Sequence, residues 1–490
     1  MALQKSIFFK VLLGIILLFL FLPLIQSTLN IKKYIRPLKG AFIPAEEVEL
    51  NKTSWFNANY QNSKNEFLNQ NFGFRNYFVM LNNQVDYSLF NKANVDKVVV
   101  GKGGFLYEDN YVEAYYGNNF VGKTKIEERI NKLKDLQELL QTKGIFLEIV
   151  FAPGKATFYP EFIPEEWVSE KKLNNYEYTA QYCKEKKVNC VDINAWFQNI
   201  KNITPYDLYP KTGIHWSNYG SLLVFDSLTK RLEHRSGLNL KNFNITNVSF
   251  SDSLISPDDD IGSAMNLIKK IPVLPMPYAK YSWTEDTTFK TPNALFIGDS
   301  YFWNIYYEGL TNNLFKDCKF WYYNQTVYPE SEAEREVKKL NLVEEINKQK
   351  IIVIMATDCN IHDLGWGFIE QAYDALSDEM KSIKRKNIYV KDLIDEIQKT
   401  PTWKKDVERK AKEKGISFEE MAGLDALYIY NTDYNKPDVI ELTEENKKRI
   451  LNTPEWISQI KKKAVEKNIS FEDMLELDAK YIYITEQRKK

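Results

Sequence analysis

Two short stretches carry residue types suited to acyl-transfer chemistry. Gly298-Asp299-Ser300 follows the apolar run Leu295-Phe296-Ile297 and precedes an aromatic-rich stretch, Tyr301 to Tyr307. A serine between a buried strand and a helix presents its hydroxyl at the mouth of a sheet. The backbone N–H groups of Ser300 and Tyr301, at a helix start, are placed to stabilise an oxyanion. A serine alcohol needs a neutral imidazole within hydrogen-bond reach to take its proton. His215, in Gly213-Ile214-His215-Trp216-Ser217, is one of three histidines, with His234 and His362. It sits just before a helix running from Asn218 to Leu232, for which Ser217 is the N-cap candidate. Each feature has a plain alternative: Gly-Asp-Ser is common in turns, and an isolated histidine often merely caps or packs.

Other polar residues also fall at strand ends. Asn360 follows the apolar run Ile351 to Ala356 and either donates to an oxyanion or substrate, or caps a turn. His362 and Asp363 lie beside it. Lys155, in Ala152-Pro153-Gly154-Lys155, either binds substrate or points to solvent. Trp216, Tyr301, Trp303 and Trp366 either stack on sugar rings or fill a core. Asp299 is read as fixing the turn before Ser300 rather than titrating.

The elements that must position these groups read as α/β. Val98 to Val100, Ile145 to Phe151, Val188 to Ile193, Leu295 to Ile297 and Ile351 to Met355 are strand-like. Ile126, Ile130, Leu133, Leu136 and Leu140 recur at helical spacing, and Gly144 closes that helix. Strands alternating with helices predict a parallel sheet covered on both faces, with ligands gathering at the strands' carboxyl ends. At the N-terminus, the apolar run Val11 to Ile25, with Lys5 and Lys10 before it, has the length of a spanning helix or a cleavable signal. Its exit, Leu24 to Leu29, matches a cleavage site poorly, which favours an uncleaved anchor. Lys32, Lys33 and Arg36 follow, so charge bias orients it weakly. Residues 31–95 read as an extension on the core domain. Near the C-terminus, Thr400-Pro401-Thr402-Trp403 recurs as Thr453-Pro454-Glu455-Trp456, and Lys414 to Met421 as Lys467 to Met474, a tandem helical duplication. Trp403, Val407 and Ala411 mark one face, matched by Trp456, Ile460 and Ala464.

Composition narrows the function classes. A net charge of -1 over 490 residues leaves no basic footprint for nucleic acid. The four cysteines, Cys183, Cys190, Cys318 and Cys359, fit no zinc ribbon or finger, so no metal is expected. Cys183 and Cys190 either bridge or remain separate thiols.

The order His215-Trp216 and then Gly298-Asp299-Ser300 resembles the SGNH-hydrolase-like acetyltransferases of the alginate O-acetylation type. The resemblance spans about Lys97 to Leu376. It also takes in Val100-Gly101-Lys102-Gly103-Gly104-Phe105-Leu106-Tyr107 and Ala152 to Pro160 with Ile163-Pro164. It implies an SGNH-like domain over 96–385, between a membrane segment in 1–30, the 31–95 extension and a helical region over 386–490. It also implies acetyl transfer onto an exported polysaccharide through an acyl-Ser300 intermediate, without a cofactor. A membrane-bound O-acyltransferase would be the donor, and the catalytic domain would lie outside a bacterial cytoplasmic membrane. One departure stands out. The family commonly has Asp-x-His-Trp, and here that Asp position is Gly213. The residue orienting His215 must then come from elsewhere, with Asp207, Asp258, Asp259 and Asp260 as candidates, or be a backbone carbonyl. Two other readings stay open: a catalytically silent glycan-binding or assembly subunit, and D-alanyl transfer to teichoic acid.

Overall fold

The structure is a computed structural model. It describes residues 2–29, 36–40, 44–284, 288–434, 437–467 and 469–487. Lys32 and Lys33, named above, and Asn468, inside the second repeat copy, lie outside the described residues.

Among the described residues ten strands are formed: β1 Val98–Val100, β2 Leu106–Glu108, β3 Phe146–Ala152, β4 Cys190–Asp192, β5 Phe243–Ser251, β6 Met276–Trp283, β7 Ala294–Gly298, β8 Cys318–Tyr322, β9 Thr326–Tyr328 and β10 Ile351–Thr357. Six make the central sheet, in the order β4-β3-β10-β7-β8-β9. β10 lies between β3 and β7, parallel to both, with Ile351 opposite Phe146 and Ala294. Every residue of β7 and of β10 is buried. Continuous apolar runs at these positions follow from helices covering both faces, and each fully buried Ile or Val contributes about 1.5–3 kcal/mol. The expectation of a parallel sheet needs one correction. β9 runs antiparallel to β8, so the sheet is mixed. Tyr323 and Asn324, both at positive φ, turn the chain back too tightly for a helical crossover.

The helical stretch predicted before β3 forms over Lys123–Thr142, and its five periodic residues are buried. β1 and β2 pair through a turn in which Gly103 has φ 65. The β5–β6 hairpin is antiparallel and separate from the sheet. Hydrogen bonds join residues of the 31–95 stretch to this domain: buried Asn83 donates to the Met265 carbonyl at 2.8 Å, and Lys39 N–H to Asn266 Oδ1 at 2.7 Å. Ile7–Thr28 is a helix with mean hydropathy 2.8, long and apolar enough to cross a membrane and of a kind shared by secretion signals. The four cysteines are free, so Cys183 and Cys190 are not bridged.

A second compact unit takes in Asp135–Lys143 and Ile369–Lys490, so it begins before the expected boundary at 386. It is α-helical. Helices start at Pro401 and Pro454, where proline costs no hydrogen bond. Val407, Ala411, Ile460 and Ala464 are buried, with Trp403 and Trp456 packed beside them. The ion pairs Lys410–Asp425 (2.8 Å) and Lys463–Asp478 (2.7 Å) occupy equivalent places in the two sequence copies.

Candidate active site

Ser300 follows β7 directly, and the turn that carries it is clamped from β10. Asp299 is fully buried. Its Oδ2 accepts from Thr357 N–H (2.8 Å), Thr357 Oγ1 (2.7 Å) and Asn360 Nδ2 (2.9 Å), and its Oδ1 accepts from Tyr301 N–H (3.1 Å). With every oxygen satisfied, the carboxylate pins the serine turn to the neighbouring strand end. This geometry bears on two of the oxyanion candidates. The Asn360 amide is spent on Asp299 and on Thr357 Oγ1 (3.0 Å). The Tyr301 N–H is likewise spent on Asp299.

His215 reaches this turn from the loop before helix Asn218–Ser236. Ser217 caps that helix, its Oγ accepting from Gly220 N–H at 3.0 Å. His215 Nε2 lies 2.9 Å from Ser300 Oγ. Nδ1 lies 2.8 Å from Asp260 Oδ2, and the other oxygen of Asp260 accepts from Ile214 N–H at 3.0 Å. A carboxylate can only accept, so Nδ1 carries the proton and Nε2 turns its lone pair to the serine hydroxyl. Burial alone would lower the imidazole pKa. The Asp260 hydrogen bond and charge, with Asp299 and Glu108 behind them, outweigh it, and the net shift is upward.

Asp260, not Asp207, therefore stands beside the imidazole. Asp207 lies on the far side of Ser217, whose Oγ donates to the Asp207 carbonyl at 2.7 Å, and its side chain borders a separate pocket of about 120 Å³. The loop carrying Asp260 is clipped to the histidine segment by Gly262 N–H donating to the Thr212 carbonyl at 2.9 Å. Gly213 is what lets the two segments meet. A Cβ there would lie 2.7 Å from the Asp258 carbonyl oxygen and 2.8 Å from that of Pro257. The space where the family motif places an aspartate is filled by the backbone that brings Asp260 in. Gly213→Asp, which rewrites the segment in the family's form, is thus expected to destabilise the fold by a few kcal/mol through overpacking against backbone. Thermal unfolding checks this; an unchanged melting temperature would show that the two segments part easily.

The remaining candidates hold the histidine loop from below. Lys155 is fully buried and touches no solvent. Its ammonium donates to the carbonyls of Lys211 (2.8 Å) and Gly213 (2.6 Å) and lies over the Phe105 and Tyr107 rings. Burial pushes its pKa down to about 7. It braces the loop, so neither of its expected roles, substrate contact or solvent exposure, fits. Trp216 is also fully buried and packs edge-on to Tyr301 at 5.1 Å, which excludes it as a sugar platform. The Tyr301 hydroxyl donates to the Ile214 carbonyl at 2.6 Å. His362 is turned away, with Nδ1 2.8 Å from the Cys359 carbonyl.

Sequence reasoning passed over two features. Tyr323 lies beside Ser300, and burial first, then nearby Asp299, raises its pKa and keeps the phenol protonated. Its φ of 51 is uncommon for an aromatic residue, and such strain gathers at functional sites. The second is the β5–β6 hairpin, which with residues 255–260 and helix Phe302–Tyr307 walls a pocket of about 580 Å³ opening onto Ser300 and His215.

Residues 98–307 match the family model described as SGNH hydrolase-like domain, acetyltransferase AlgX. A curated relative, the probable alginate O-acetylase AlgJ of Pseudomonas putida, is 22% identical over 221 residues, covering 39% of this chain and 56% of that protein. The match thus spans little more than half of the relative's length. Among solved structures, the O-acetyltransferase domain of Pseudomonas putida AlgJ aligns with a TM-score of 0.38 and 15% identity, over 57% of this chain and 99% of that one. Bacillus cereus PatB1 aligns at 0.36 and 13%, over 55% and 99%. Pseudomonas aeruginosa AlgX aligns at 0.36 and 11%, over 58% and 71%. The matched stretch, with its Gly-Asp-Ser turn and upstream His-Trp, is an SGNH-like domain similar to those of AlgJ and AlgX.

Proposed function

We propose that the chain is an O-acetyltransferase acting on an exported polysaccharide, with Ser300 as nucleophile, His215 as general base and Asp260 as the group that orients the imidazole. The observation that carries this reading is the unbroken chain Asp260–His215–Ser300, with contacts of 2.8 and 2.9 Å.

In the first half-reaction His215 Nε2 takes the Ser300 proton as Oγ attacks the acetyl carbonyl. Asp260 stabilises the imidazolium that forms, and the proton passes to the leaving group, leaving acetyl-Ser300. The Ser300 N–H and the Tyr323 hydroxyl are the donors for the oxyanion. In the second half-reaction a sugar hydroxyl gives its proton to Nε2, attacks acetyl-Ser300 and leaves as the acetyl ester. No step calls for a metal or cofactor. Family resemblance supports a membrane-bound O-acyltransferase as the acetyl donor. The apolar helix Ile7–Thr28 supports a single-pass placement with this domain outside the cytoplasm.

Gly213 motivated the catalytically silent alternative, and Asp260 removes that motive. The test is trapping. Brief exposure to an aryl acetate is expected to add one acetyl group at Ser300, read by peptide mass spectrometry. An unmodified Ser300 in the folded wild-type protein would refute the assignment.

A further inference from the structure

The pocket beside Ser300 is walled by groups of contrasting chemistry. Three carboxylates border it: Asp258, Asp260 and Glu308. Lys280 is the only lysine or arginine among its described lining residues, and it is exposed on β6. Asp260 is already committed to His215 and to Ile214 N–H. Glu308 accepts from Asn218 Nδ2 at 2.6 Å. Asp258 is 2% exposed, and burial pushes its pKa up to about 7, so near neutral pH it carries only part of a negative charge. On another side, Trp303 and Tyr307 stack at 5.0 Å with their planes 19° apart, and Tyr307 is 78% exposed.

From this lining we infer that the acceptor is an uncharged pyranose and not a uronate, which rests on the acetyl-transfer reading above. A polyuronate brings one carboxylate per sugar. Inside this pocket that charge would lose water and meet acidic side chains, with one exposed ammonium to offset it, and like charges juxtaposed across an interface disfavour binding. An uncharged pyranose meets no such penalty. Its C–H face suits the aromatic ledge of Trp303 and Tyr307. The geometry thereby separates this chain's acceptor from that named for its curated relative.

The test uses the full chain and two oligosaccharides of equal length, an N-acetylglucosamine oligomer and an oligomannuronate. Calorimetry on Ser300→Ala protein reads binding, and acetyl transfer from an aryl acetate by the wild type reads turnover. At least tenfold tighter binding and faster transfer are expected for the uncharged oligomer. Asp258→Asn and Glu308→Gln are each expected to narrow that gap, at least threefold for Asp258→Asn. Equal or better handling of the uronate, binding of neither oligomer, or a gap that both variants leave unchanged would overturn the inference. Acetylation of Ser300 by aryl acetate needs no acceptor. Acceptor choice can therefore fail while Ser300 still acylates, and failure of acylation itself would strike the underlying reading.

Discussion

Ser300→Ala is expected to lower kcat for aryl acetate hydrolysis by about 10⁴-fold or more, with no acetyl adduct formed. That is a loss of at least about 5.5 kcal/mol of transition-state stabilisation. It is large because, in the proposed mechanism, the hydroxyl supplies the bond-forming atom. Folding should be intact, since the hydrogen bonds that hold the turn come from Asp299, Thr357 and Asn360 rather than from the serine side chain. A full kinetic comparison, with circular dichroism on both proteins, checks it. Residual turnover near the wild-type rate would move the nucleophile elsewhere.

Asp260→Asn is expected to cost about 10³-fold in the acylation rate, and to change the pH profile as well. The sign follows from the imidazole. His215 acts as base only when neutral, and in the wild type its pKa lies above the ordinary value, raised by Asp260 against the opposing effect of burial. Wild-type activity should therefore rise with pH through a midpoint above about 6.5 and then level off. Asparagine removes the charge but not the burial. The midpoint should move to lower pH while the plateau falls, because an amide can donate to Nδ1 and stabilise the wrong tautomer. Rate profiles from pH 5 to 9 for both proteins measure this. A lower plateau with an unmoved midpoint would mean that Asp260 holds the loop but does not tune the base.

The pair proposed as reactive, Ser300 and His215, was legible because both residues carry local signatures. Ser300 follows a continuous apolar run, the mark of a strand buried on both faces, and His215 precedes an N-cap serine. Asp260 was one of four named aspartates, and nothing local distinguished it. It lies 45 residues from His215 and arrives on a loop whose path no periodicity encodes. The available signal was negative: a glycine where the family has a side chain marks space taken by another part of the chain. Lys155 was misread for a related reason. A lysine after a strand reads as exposed, and only tertiary packing shows that two backbone carbonyls at 2.8 and 2.6 Å take up its ammonium. The β5–β6 hairpin escaped notice because its half-exposed, polar strands, such as Asn244 to Ser249, lack the apolar run that marked the central sheet.

Asp258 and Asp260 lie two residues apart, the first walling the pocket proposed for the acceptor and the second facing the imidazole. For protein engineering this ties two properties together. A library that varies this stretch to broaden acceptor range will also retune the base, so clones selected for a new sugar will tend to carry a rate penalty and a displaced pH optimum. Trp303 and Tyr307 border the same pocket from a different helix, with no hydrogen bond to the imidazole. They are the positions at which selectivity can be rewritten while the proton relay is left as it is.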